Sequence, residues 1–480
     1  MVLNSLYFLL FFPIVALLYF ALPVKQRWKL LLAASVYFYC TFDYRFLALT
    51  GISIFSSFYF SLKSNESADE NKKKLYLRLT IGLNLLLLCV FKYYNFFIES
   101  AAQLFDNVGL SFSPTLLNFG LPIGISFYTF QIIGYAFDVY YGETKAEKNL
   151  GIFSLYILFF PKLIAGPIER SNNLLKQLNQ EHHFDYARVT SGIKLIAWGL
   201  FKKICIADRL AYFTDALFNN PAENTGLKAI LGCYFFLFQI YADFSGYSDM
   251  AVGASRVFGF DIVKNFNHPL ISQNLTEFWK RWHISLYAWF NEYLYNPISF
   301  NLRSWNKWGI VFTIFVTLTL SGLWHGAALT FIVYGFFHAL GLSIEYFYAP
   351  YREKTKTIIP AFIYKYASIL ITFHFFLFTL IIFKSNSIAE VIQIISSFSE
   401  FNKSQLGIYL YHEKETEFIL SFVMIALLLG MEYWQRKTDN YLSFHLKLPS
   451  VVRYIIYSIF IIILVYFAVF MTNDFVYAQF

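Results

Sequence analysis

The chain has 480 residues, 58% of them hydrophobic and only 14% charged, with 38 Lys and Arg against 30 Asp and Glu. Soluble domains carry about a quarter charged residues, so this composition excludes an ordinary soluble enzyme and indicates a polytopic, all-α membrane protein. The net charge of +8 does not indicate a nucleic-acid partner, because the basic residues fall in short loops between apolar segments, where they orient helices among membrane lipids.

A helix needs about 20 mostly apolar residues to span a bilayer. In chain order the sequence predicts spans near 3–22, 28–43, 44–62, 75–98, 116–141, 194–217, 228–250, 308–323, 327–348, 358–383, 418–434 and 452–472. That makes about 11–12 crossings. The first segment lacks a basic leader and a small-residue cleavage site, so it reads as a retained helix. The tract at 150–165 is short and broken by Pro161, and reads as a re-entrant segment. The four cysteines (Cys40, Cys89, Cys205, Cys233) lie scattered in apolar segments and form neither a pair nor a metal-ligand spacing. No internal repeat, low-complexity segment or soluble domain is visible, so residues 1–480 read as a single integral-membrane domain.

Basic residues concentrate on cytoplasmic loops. Lys25, Arg27 and Lys29, then Lys63, Lys72, Lys73, Lys74 and Arg78, place the first two basic loops inside. Loop 99–115 has Glu99 and Asp106 but no basic residue, and 218–227 has none either, so both read as external. Segment 251–307 (Arg256, Lys264, Lys280, Arg281, Arg303, Lys307), loop 349–357 and loop 435–453 return to the cytoplasm. Both termini are expected outside.

Two histidines stand out against this apolar background. His325 lies in Thr319-Leu-Ser-Gly-Leu-Trp-His-Gly-Ala-Ala-Leu-Thr330, between two long apolar runs and beside the small residues Gly322, Gly326, Ala327 and Ala328. An ionisable group at membrane depth is costly and reads as functional by default. Irregular backbone there is tolerated only where it lines a cavity or packs on protein. The competing reading is a histidine hydrogen-bonded between helices. The second histidine lies in the aromatic segment Glu277-Phe-Trp-Lys-Arg-Trp-His-Ile-Ser-Leu286, continuing to Tyr295. Read as one amphipathic helix, Trp279, His283, Leu286, Phe290 and Leu294 share a face. Such a helix lies on the inner leaflet, anchored by aromatics and Lys280 and Arg281. An inward imidazole is not needed for that, and it marks His283 as a partner for His325.

Other chemistries fail on spacing. There is no Gly-x-Ser-x-Gly elbow, and Phe244-Ser-Gly-Tyr-Ser-Asp249 does not fit one. No phosphate-cradling Gly-rich Lys loop is present. Neither His325 nor His283 is followed five residues on by Asp, and no bound metal is expected. His338 and His374 read as helix–helix hydrogen bonds.

Five segments carry a resemblance: Leu121-Pro-Ile-Gly-Ile-Ser-Phe-Tyr-Thr-Phe-Gln131, Phe160-Pro-Lys-Leu-Ile-Ala-Gly-Pro-Ile-Glu-Arg170, Tyr241-Ala-Asp-Phe-Ser-Gly-Tyr-Ser-Asp-Met250, Thr276-Glu-Phe-Trp-Lys-Arg-Trp-His-Ile-Ser-Leu286 and Gly322-Leu-Trp-His-Gly-Ala327. Together they resemble the membrane-bound O-acyltransferase family, and within it the bacterial branch that O-acetylates alginate, peptidoglycan and other surface polysaccharides. The resemblance covers a core at about 118–345, leaving C-terminal spans at 358–472 and a short external tail at 473–480. It implies helices around a central tunnel in the bacterial cytoplasmic membrane. It makes His325 and His283 the catalytic pair and implies acyl transfer from a thioester to a hydroxyl. Imidazole is the usual base for such a hydroxyl. His283 would position the donor carbonyl or stabilise the oxyanion.

No bound cofactor is implied. The donor is acetyl-CoA or an acyl-carrier thioester, and Lys280, Arg281, Trp282 and Arg256 are its candidate contacts, although a positive-inside loop explains the basic ones equally well. The partner implied outside is an SGNH-type O-acetyltransferase. The tail Phe475-Val-Tyr-Ala-Gln-Phe480 resembles an aromatic tail of this branch, which makes Tyr477 a candidate acyl acceptor. A phenol of pKa about 10 leaves readily enough to pass the acyl group on. The competing reading is an aromatic anchor at the outer interface. Two rival functions remain: a D-alanyl transferase for teichoic acid fed by a carrier-protein thioester, and a non-enzymatic polysaccharide or lipid exporter. Exporters usually show paired repeats.

Overall fold

The computed structural model describes residues 1–480 except 111, 114, 119, 401–414, 439–447, 470–474 and 476–480. Every regular element among the described residues is helical. Among the described residues, seven stretches are long and apolar enough to cross a membrane: Val24–Glu66, Glu70–Asn107, Leu227–Phe258, Arg303–His325, Leu329–Ile358, Ala361–Lys384 and Glu415–Arg436. The first of these holds two helices, Val24–Asp43 and Leu47–Glu66, joined by the short turn Tyr44–Phe46. Four shorter apolar helices, Leu6–Ala21, Leu150–Lys162, Ile388–Ser397 and Ser450–Tyr466, add to them. The chain is thus an all-α, multi-pass membrane protein. Ile388–Ser397 falls in the mixed, mildly acidic stretch 384–417 between two predicted spans, where the sequence predicts an external loop. It is capped by Ser387, whose hydroxyl accepts from the Glu390 amide at 3.2 Å.

The centre of the fold is the Leu227–Phe258 helix, in which every residue from Gln239 to Ser255 is buried. It crosses the Tyr186–Phe201 helix at glycine contacts. A Cβ on Gly192 would lie 2.7 Å from the Gly253 carbonyl oxygen, and one on Gly253 would lie 2.6 Å from that of Gly192. Gly199 and Gly246 meet in the same way seven residues along each helix. In lipid, where apolar side chains gain nothing by leaving the solvent, such close backbone contact is a main source of helix association.

The predicted span at 194–217 is interrupted by the π-helical turn Lys202–Ala207. This turn brings two lysines inside. Lys203 pairs with Asp243 at 2.7 Å and Asp208 at 2.9 Å, and Lys202 pairs with Asp249 at 2.5 Å. Cys205, between them and the apolar core, is fully buried. The chain beyond the last helix folds back onto this turn. Val469 donates its amide to the Ile204 carbonyl at 2.9 Å, and Arg209 donates to the Phe467 carbonyl at 2.7 Å. Phe475 is buried, with Lys203 Nζ 4.7 Å from its ring centre and Tyr247 edge-on at 4.6 Å.

The tract at 150–165 forms a nine-residue helix, Leu150–Leu158, followed by the turn Phe160–Lys162. At 1.5 Å per residue that helix is about 13 Å long, less than half the hydrocarbon thickness. It is packed inside protein, with residues 155–169 all buried. Glu169 at its far end accepts from the Val263 amide at 2.5 Å and from Asn173 at 2.7 Å. Burial pushes its carboxyl up to about 7.

Candidate active site

The Asn306–His325 helix ends on the predicted histidine, and the chain turns through extended residues Gly326 and Ala328 into the Leu329–Ile358 helix. The two helices form a tight hairpin. A Cβ on Gly322 would strike the Phe331 carbonyl, and one on Gly335 would strike that of Leu318. Glycine at both positions lets the backbones meet one turn before His325 and fixes where that side chain emerges. The imidazole is buried among Trp324 (ring centres 5.0 Å apart), Phe383 (5.4 Å) and Tyr334 (6.0 Å).

Helix 306–325 leaves its last carbonyls without intrahelical donors, as every α-helix does. Two consecutive residues of another helix supply them. Tyr93 donates its hydroxyl to the Leu323 carbonyl at 2.9 Å. Lys92 donates its ammonium to the Trp324 carbonyl at 2.6 Å and the His325 carbonyl at 3.1 Å, and reaches Ser126 Oγ at 3.3 Å. Both lie in the π-helical turn Cys89–Tyr93 that interrupts 70–107. Lys92 is not among the candidates taken from the sequence, although a lone lysine in the predicted span 75–98 carries the same signal as His325.

The expected amphipathic helix through His283 is not continuous. It divides into Leu275–Trp279 and Ile284–Phe290, and His283 sits at the break with φ 45° and ψ 52°. Left-handed backbone is uncommon outside glycine, with Asn, Asp and His several-fold enriched there. The break is held by buried Asn265, whose carbonyl accepts from Ile284 N at 2.9 Å and whose side chain accepts from Ser285 N at 3.1 Å. Ser285 Oγ in turn accepts from Ile168 N at 3.0 Å. Trp279, His283, Leu286 and Phe290 of the expected face are buried and Leu294 only partly, and they belong to separate helical segments on either side of His283. The His283 ring packs edge-on to Phe244 at 4.7 Å and lies 6.0 Å from Trp324. One indole therefore touches both histidines, which are 42 positions apart in sequence.

Two cavities approach this point. The narrow one, about 70 Å³, is lined by Lys92, residues 121–127, Ile164, Trp324 and His325. The wide one, about 710 Å³, is lined by Lys280, Trp279, Leu286, Tyr295, Ser321, Glu345 and Arg352, among others. Ser321 and His325 are one helical turn apart on the same helix. Trp324 lies between the cavities in an apolar cluster with Leu286, Phe290, Trp289 and Phe130. Trp289 stacks on Phe130 at 4.0 Å.

The other residues singled out in the sequence fall as follows. Lys280 lines the wide cavity. Arg281 pairs with Glu277 at 2.9 Å beside it. Trp282 is buried against Phe278, Phe266 and Phe376, so its ring is committed to packing. Arg256, on the Leu227–Phe258 helix, contacts Ser191 and Asp261 and is not among the residues lining either cavity. Tyr477 lies outside the described residues. His374 makes the expected interhelical bond, 2.8 Å to Tyr234. Among the described residues His338 finds none: both ring nitrogens are buried without a partner there, between Tyr334, Trp279 and Phe375.

A polytopic helical protein with a histidine-bearing helix end between two cavities has the features of a membrane enzyme. The family model for membrane-bound O-acyltransferases matches residues 148–384. A probable alginate O-acetylase of Pseudomonas putida is 40% identical over 345 residues, covering 71% of this chain and 70% of that protein. Its counterpart in Pseudomonas aeruginosa is 39% identical over 344 residues, covering 71% and 65%. The chain therefore spans about two thirds of the length of these relatives. A peptidoglycan O-acetyltransferase of Helicobacter pylori is 30% identical over 450 residues, covering 87% and 82%. A teichoic acid D-alanyltransferase of Bacillus subtilis is 32% identical over 272 residues, covering 54% and 68%. The chain belongs to the membrane-bound O-acyltransferase family.

Proposed function

We propose that this chain takes an acetyl group from a cytosolic thioester, acetyl-CoA, and delivers it across the bacterial cytoplasmic membrane for O-acetylation of a cell-surface polysaccharide, alginate-like or peptidoglycan. The observation that carries the reading is His325 at the end of a helix whose wall faces both cavities, with His283 across the same indole. The wide cavity lies among basic loops, so the positive-inside rule assigns it to the cytoplasm. Lys280 and Arg352 line it, with Arg281 beside them, and these suit donor phosphates. The narrow cavity then opens outward, and both chain termini are external. The longer coverage of the acetylating relatives favours acetyl over D-alanyl transfer.

In this reading His325 removes the proton of an acceptor hydroxyl. The hydroxyl oxygen attacks the thioester carbonyl, and the new C–O bond forms as the C–S bond breaks. The proton passes to the departing thiolate. His283 steadies the carbonyl oxygen, the kind of electrostatic support that is often the largest catalytic contribution. Tyr477 is the proposed first acceptor. Phe475, two residues before it, is buried against Tyr247, whose hydroxyl lies beside the main chain of Ile164, and Ile164 lines the narrow cavity. An SGNH-type transferase outside would then pass the acetyl group to the polymer.

The test is His325→Ala in the native host, with membrane insertion checked by immunoblot. Surface acetyl ester should fall to background. Normal acetyl content with a fully inserted variant would remove the catalytic reading. Mass spectrometry of the C-terminal peptide in a strain lacking the external transferase tests Tyr477, where an unmodified tyrosine would exclude it as acceptor.

A further inference from the structure

Lys92 is a cation at membrane depth that the proposed reaction does not use. Its placement is specific. The ammonium donates to the last two carbonyls of the 306–325 helix, Trp324 at 2.6 Å and His325 at 3.1 Å, and to Ser126 Oγ at 3.3 Å. Three directed contacts thus leave one amine nitrogen. Its neighbour Tyr93 takes the Leu323 carbonyl. The π turn Cys89–Tyr93 adds a residue to the helical register and so lets two consecutive side chains address the same helix end. Cations are favoured at helix C-termini by the peptide dipoles, and charged hydrogen bonds are short and strong.

We infer that Lys92 is a positioning residue for the acyl transfer: by clamping the Trp324 and His325 carbonyls it fixes the imidazole at the narrow cavity that both residues line. The inference rests on His325 as the base. This helix ends on an extended Gly326, φ −161° and ψ 155°, not on a glycine in the left-handed conformation that would satisfy its last carbonyls, so its last residue is held from another helix. Without the clamp the last turn frays and His325 leaves its place between Trp324, Tyr334 and Phe383. Misplacement by about 1 Å costs on the order of 10²-fold in rate, while donor binding in the wide cavity, which Lys92 does not line, is untouched.

The experiment compares Lys92→Met, Lys92→Gln and Lys92→Arg in purified, reconstituted enzyme, measuring kcat and donor KM with radiolabelled acetyl-CoA. His325→Ala serves as the zero. The expected order of kcat is Arg, then Gln, then Met, with Met reduced about 10- to 100-fold and donor KM within about twofold throughout. Recovery by Arg, which keeps charge and donors, distinguishes clamping from simple packing. If Lys92→Met does not insert, the order of Arg over Gln decides alone. Equal, wild-type kcat in the Gln and Arg forms overturns the inference, as does an inserted Arg form as inactive as Gln. If His325→Ala is itself active, the functional reading fails and the clamp has no reaction to serve.

Discussion

Replacing His283 separates its two tasks, backbone and ring. Its backbone sits at φ 45°, where a residue with a Cβ pays roughly 1–2 kcal/mol unless, like Asn, it tolerates the left-handed region. Its ring is wholly buried against Phe244 and Trp324. Truncating a large buried side chain to Ala costs about 2–5 kcal/mol through lost contacts and the cavity left behind. His283→Ala should therefore lose about 2–5 kcal/mol of stability and, if the imidazole serves an oxyanion, about 10²–10³-fold in kcat. His283→Asn keeps the conformation, a donor and more of the volume. It should melt close to wild type and keep more activity than Ala. His283→Gly relieves the backbone but removes the ring, and should match Ala in rate. The assay pairs thermal unfolding in detergent with acetyl transfer in proteoliposomes. A Gly form as active as wild type would show that the break needs only a flexible residue and that the ring does no chemistry.

Two further outcomes follow from buried charge. Lys203→Met leaves Asp208 and Asp243 without the ammonium between them, and should destabilise by about 3–5 kcal/mol; an unchanged melting temperature would contradict the ion-pair account. Glu169 has its carboxyl raised by burial to about 7, so the folded state holds its proton more tightly than the unfolded chain. Stability from this group is full below about pH 4, the ordinary carboxylate range, and is lost as pH rises through 7. Glu169→Gln should remove that part of the decline in a melting series from pH 4 to 8, and an identical slope in both proteins would refute it.

Spans were legible because twenty apolar residues with basic flanks are a local signal. The break after His325 was legible because Gly326, Ala327 and Ala328 interrupt two such runs. The rest of the site was not, for physical reasons. The Tyr93–Leu323 bond joins residues 230 positions apart, and hydrophobic periodicity reports nothing at that range. His283 fits an amphipathic face by spacing, yet the two helices divide there because Asn265 and Ser285 supply tertiary hydrogen bonds that local propensity does not register. Trp282, adjacent to a basic pair, looked available to a donor and is instead spent on aromatic packing. Lys92 carries a local signal too, because an isolated lysine in an apolar run is as costly at membrane depth as an isolated imidazole.

The two cavities differ about tenfold in volume, near 710 and 70 Å³. The smaller has room for only a few water-sized groups. A short acyl fragment can turn within it beside His325, whereas a fatty chain cannot follow without displacing Trp324 and the stacked Phe130–Trp289 pair behind it. Under the proposed function, the space beside His325 favours a two-carbon acyl group over a fatty one.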